Sequence, residues 1–174
     1  APDVVGAVTR RAHEFGMHVT GHVPGGMSLE QAVDSGMDEI AHIPVMRGEP
    51  GTPDMRSLIE LLVRHHTVAD PTVAWNELLG RSNDTPIERF EPGILESPPP
   101  LAFNYNSVTN PVDRAQAQAG LRRDLAIVKA LHDAGVPIVA GTDGGVPGHS
   151  LLRTLELYVQ AGLTPSAALA TATT

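Results

Sequence analysis

The chain has 174 residues, 12 Lys plus Arg against 20 Asp plus Glu, and no cysteine. That length can bury a core unaided, while a formal charge of −8 opposes nucleic-acid binding, which needs clustered basic residues. The absent thiols exclude disulfides, thiolate zinc sites and a cysteine nucleophile, so any metal must be held by His, Asp or Glu.

From the N-terminus, Val4, Val5, Val8, Ala12 and Phe15 recur at helical spacing, and Gly16 is a natural stop. Arg10, Arg11 and Glu14 leave no apolar block there, so no targeting segment is read and the cytoplasm is the default compartment. Met17 to His22 reads as a short strand. Ser28 and Gln31 then form a capping-box pattern that opens a helix running to Ser35 and closed by Gly36. Met37 to Ile43 reads as a second strand ended by Pro44. Thr52 and Pro53 supply a cap and a first-turn proline, with Leu58, Ile59, Leu62 and Val63 as the apolar face of the next helix.

Thr67 to Trp75 reads as a third strand. Asn76 to Pro111 has little periodicity and is too long for an ordinary connection, which suits a lid or a long loop. Pro111 opens a helix with Leu121, Leu125, Val128 and Leu131 on one face, ending at Gly135. Pro137 to Thr142 is a fourth apolar strand, Ser150 caps a helix bearing Leu151, Leu155, Tyr158 and Val159, and Thr164 with Pro165 starts a last helix. Alternation of helices with short apolar strands implies an α/β fold with a parallel sheet covered by helices. No stretch approaches the roughly 18 uncharged apolar residues of a spanning helix, so no membrane partner is expected.

His22, His42 and Asp143 each end an apolar strand and are followed within a few residues by Gly or Pro. In parallel α/β folds the carboxyl ends of the strands open on one face, where ligands bind. Imidazole and carboxylate side chains at three such ends suit a divalent metal with open positions for water. The competing reading bonds the histidines to loop carbonyls and uses Asp143 to cap the Gly144–Gly145 turn. His149 follows in the loop after the fourth strand, where it could bond a substrate carboxylate. Trp75 and Tyr105 could wall the substrate or pack the long loop. His65 and His66 end a helix and favour its negative pole, while His13, His18 and His132 read as structural or solvent-facing. Neither a Walker pattern nor a Gly-X-Ser-X-Gly elbow is present.

The run GHVPGGMSLEQAVDSGMDEIAHI resembles strands five and six of the metal-dependent amidohydrolase superfamily. VPIVAGTDGGVPGHSLLRTLELYVQAGLTPSAALATAT resembles strand eight and the helices after it, in the imidazolonepropionase-like and Xaa-Pro-dipeptidase-like branch. The resemblance implies a (β/α)8 barrel of the TIM type, present over residues 1–174 as a partial barrel of about strands five to eight with their helices. It implies His22 and His42 as metal ligands from strands five and six. Asp143 becomes the strand-eight ligand that also carries the proton of an attacking water. The His-X-His pair of strand one and the lysine or glutamate of strand four find no counterpart, so about 120 residues of the barrel are expected upstream. The implied activity is hydrolysis of an amide, imide or dipeptide-like C–N bond of a small molecule, with zinc the foremost metal and one or two ions bound. Phosphotriester or lactone hydrolysis on the same scaffold is the alternative, as is an inactive fragment; a homo-oligomer stays open.

Overall fold

Short apolar runs punctuated by glycine and proline fold into capped helices and brief strands in a computed structural model that describes residues 2–42, 49–90, 92–100, 112–143, 146 and 148–173. The chain divides into two compact units, residues 1–71 with 130–139, and residues 72–129 with 140–174.

In the first unit α1 (Pro2–Glu14), β1 (Thr20–Gly21), α2 (Leu29–Asp34), β2 (Glu39–Ala41), α3 (Pro53–His65) and β3 (Val68–Asp70) alternate strictly. The strands pair in parallel in chain order, with Thr20 beside Glu39 and Ala41 beside Asp70. Ile138 adds a fourth parallel position against Ala69, whose N–H donates to the Pro137 carbonyl at 2.9 Å. The expected strand from Pro137 to Thr142 shrinks to this bridge, because the Ala140 N–H turns away to the Thr171 carbonyl at 3.0 Å. The other strands are shorter than their apolar runs as well, since pairing is kept only where a neighbour presents matching backbone groups.

Local signals set the helix starts. The Ser28 hydroxyl accepts from the Gln31 N–H at 3.1 Å while the Gln31 amide accepts from the Ser28 N–H, closing the capping box. Thr52 caps α3 ahead of Pro53, and His66 ends it in a left-handed conformation. The buried face of α3 is Met55, Leu58, Leu61 and Leu62, with Val63 turned outward, so the face lies slightly round from the expected one. On α1 only Thr9 is buried; Val4, Val8 and Phe15, expected to face a core, are exposed. Leu62, Ile40, Ala32 and Ala69 lose all contact with solvent.

The second unit holds α4 (Val73–Gly80), 3₁₀ turns at Ile87–Arg89 and Pro92–Glu96, α5 (Arg114–Asp133), α6 (Ser150–Ala161) and α7 (Pro165–Ala170); α5 continues past Lys129 into the first unit. α4 corrects the expected long third strand. Pro71 cannot donate to the ladder, Thr72 takes a left-handed turn (φ 45°), and Val73, Ala74 and Leu78 then bury as a helix. It also takes the first residues of the expected loop over 76–111. Within that segment Ile87 and Ile94 bury against Leu78 and Val146, with Trp75 packed alongside. Residues 101–111, with Tyr105, lie outside the described residues. Ser150 is not the expected cap but the first helical residue, its Oγ accepting from the Val146 N–H at 2.7 Å, and His149 precedes it. On α6, Leu157 and Tyr158 are fully buried while Leu151 and Val159 face outward. Among the described residues no helix is long and apolar enough to cross a membrane.

One buried acid gives this unit a pH dependence. Burial pushes Asp124 on α5 up to about 6 from an ordinary 3.8, a rise that Arg123, 3.2 Å away, only partly opposes. The folded chain therefore holds this proton more tightly than the unfolded chain, and stability falls as pH climbs through the window from about 4 to about 6. Asp124→Asn is expected to stabilise by about 2 kcal/mol at pH 8 and by nothing at pH 4. Urea denaturation at the two pH values measures this, and an equal gain at both would remove Asp124 as the cause.

Candidate metal and catalytic site

Two of the three strand-end residues meet within the first unit. His22 directly follows β1 and His42 directly follows β2, on adjacent parallel strands where Gly21, the last residue of β1, pairs with Ile40 of β2. Although 20 positions separate them in the chain, their Nε2 atoms lie 2.8 Å apart and their ring centroids 4.6 Å apart. One Nε2 donates and the other accepts, so the two nitrogens face each other. His22 is exposed and His42 half-buried.

His42, directly after β2, sits at φ 60° and Thr72, two residues after β3, at 45°, while Asp143 also holds 45°. Such a conformation costs a non-glycine residue free energy and concentrates at functional sites. Asp143, in the second unit, is exposed and comes five residues after the bridging Ile138. Gly144 and Gly145, which it was expected to cap in the competing reading, lie outside the described residues.

His149 is half-buried at the start of α6 and lies flat against Gly93. A Cβ at Gly93 would stand 2.0 Å from His149 Cδ2, so only glycine admits the ring there. The structure thus keys the segment around Gly93 to the residue that sequence reasoning singled out for substrate. Trp75 is engaged in core packing. His65 lies in the last turn of α3, 3.4 Å from the Asp34 carboxylate, and His132 is exposed on α5. His13 and His18 both approach Asp38, at the opposite end of the strands from His22 and His42.

One strand-end carboxylate escaped the reading of the sequence. Asp70 closes β3 and pairs in register with Ala41, the residue before His42. It lay hidden inside the expected longer strand, and the following proline was the signal that the strand stops there.

No family model matches the chain. It is 31% identical over 143 residues to the uncharacterized proteins Rv2915c of Mycobacterium tuberculosis and Mb2939c of Mycobacterium bovis. That match takes in 82% of this chain but 31% of the relatives' length, so the chain spans about a third of the curated proteins it matches. Among solved structures, ochratoxinase of A. niger superposes with a TM-score of 0.62 at 21% identity, over 99% of this chain and 32% of that one. A Xaa-Pro dipeptidase with methionine bound in its active site gives 0.61 at 21%, over 99% and 36%. Bottromycin amidohydrolase gives 0.56 at 24%, over 95% and 42%.

Proposed function

We propose that this chain, whose fold is that of part of an amidohydrolase-superfamily protein, forms about strands five to eight of a (β/α)8 barrel and serves a metal-dependent hydrolase of C–N bonds. Parallel strand positions in unbroken chain order, each followed by a helix, support the barrel reading; a doubly wound sheet would reverse its order at a switch point.

The His22–His42 pair carries the proposal. Two nitrogens on one tetrahedral zinc stand about 3.3 Å apart, and the observed 2.8 Å needs only a small outward movement to admit the ion. His22 and His42 would hold a divalent metal, zinc foremost, with Asp143 as a third ligand. Bound there, the metal supplies Lewis acidity and lowers the pKa of a water. Asp143 takes the proton from the attacking water and returns it to the leaving nitrogen, serving first as general base and then as general acid. His149 bonds a carboxylate of the substrate. The substrate class is a small amide or dipeptide-like molecule.

The test is turnover by zinc-loaded protein of Xaa-Pro dipeptides, N-acyl amino acids, lactones and a phosphotriester. Cleavage of an amide bond is the expected result, with the zinc of this site lost in His22→Ala/His42→Ala. Turnover of the phosphotriester or lactone alone would move the protein to another reaction on the same scaffold. A folded chain that takes up no zinc would leave it an inactive fragment.

A further inference from the structure

The outer torsion of a histidine side chain is broad, so a ring that must meet a ligand needs its plane set by packing. His149 has that packing. A Cβ on Gly93 would stand 2.0, 2.2 and 2.4 Å from its Cδ2, Cγ and Nε2, near-equal distances that put Gly93 over the face of the ring rather than at its edge. We propose that Gly93 is a positioning residue for His149, and that their contact sets how the protein selects substrates that carry a carboxylate. The inference rests on the reading of His149 as the group that bonds that carboxylate.

Both sides of the contact are anchored in one apolar cluster. Gly93 is buried in the 3₁₀ turn Pro92–Glu96, and its neighbour Ile94 packs with Leu78, Ile87 and Val146. The His149 N–H donates to the carbonyl of that same Val146 at 3.0 Å. Ser97 Oγ donates to the Gly93 carbonyl at 3.2 Å and holds the turn from its other end. Arg153, one turn into α6, donates its N–H to the His149 carbonyl at 3.1 Å, and its guanidinium is tied to Glu77 of α4. With both backbones held by close packing, a methyl at position 93 is admitted only by turning the ring. Stacking by the face consumes neither nitrogen. Nδ1 and Nε2 lie at the ring's edge, one donating and one accepting when neutral, both donating when protonated. A carboxylate is met by that edge, and a small rotation of the ring spoils the alignment the bond requires.

Proton–carbon NMR of the histidine rings tests this, the His149 signals being those that vanish in His149→Ala. N-acetylalanine is expected to shift them, and N-acetylalaninamide, which lacks the carboxylate, to leave them in place. Gly93→Ala should move the His149 signals without ligand and weaken N-acetylalanine binding at least tenfold. Gly93→Ala/His149→Ala has room for the methyl and should recover the urea midpoint of His149→Ala; no recovery would place the clash elsewhere and overturn the contact, even where Gly93→Ala alone fails to fold. Equal N-acetylalanine affinity in Gly93→Ala and the wild type would overturn the positioning role while leaving His149 its carboxylate. A wild-type His149 that N-acetylalanine does not shift would remove the carboxylate reading, and the inference with it. None of these results depends on amide turnover.

Discussion

Asp143→Asn is expected to cut amide turnover by about 10²–10⁴-fold, the range a positioned general acid–base group contributes. The substitution suits the question because asparagine tolerates a left-handed backbone nearly as well as aspartate, and Asp143 holds φ 45°. Asparagine also keeps an oxygen able to face a cation while losing the capacity to accept and return a proton. The expected pattern is a collapse of kcat with little change in KM, in protein whose zinc content stays near that of the wild type. Loss of zinc in parallel with activity would mark Asp143 as a ligand first and a proton carrier second. Turnover near the wild-type value would remove it from the mechanism.

Glu77→Ala is expected to destabilise the fold by about 3 kcal/mol, the low end of the cost of stranding a buried charge. Glu77 on α4 is 4% exposed and accepts two hydrogen bonds from Arg153 on α6, at 2.7 and 2.8 Å. That bidentate pairing holds the guanidinium above its ordinary pKa against the opposing effect of burial. Without Glu77, Arg153 keeps Glu156 alone among the described carboxylates, itself 63% exposed and a weaker anchor. The midpoint of urea denaturation should fall accordingly, with the slope unchanged. Asp84→Ala removes an exposed partner of Arg114 and should leave the midpoint where it is. A midpoint equally indifferent to Glu77 would show that the pair contributes no more than a surface bridge.

Three of the helix starts were readable residue by residue. Ser28 with Gln31, Thr52 with Pro53, and Thr164 with Pro165 each act over three or four positions, and each side chain makes the bond its type and spacing implied. The strand ends were not readable in the same way. Val73 and Trp75 have the β-branched and aromatic character of a strand, yet they lie on a helix because Pro71 and Thr72 turn the chain before it can pair further. On α1, Val4, Val8 and Phe15 keep helical spacing but bury nothing among the described residues. Periodicity reveals that a face exists and is silent on what covers it.

The sequence by itself determined the alternation of helix and strand, the caps, the chemistry available without thiols, and the candidacy of His22, His42 and Asp143. These depend on residue type and on interactions within a turn or two of chain. Only the tertiary structure decided that His22 and His42 bring their Nε2 atoms to 2.8 Å, that Asp70 stands level with Ala41, and that Gly93 makes room for His149. Each is a meeting of residues distant in the chain, set by parallel strand register and close packing, and no local spacing encodes such a distance.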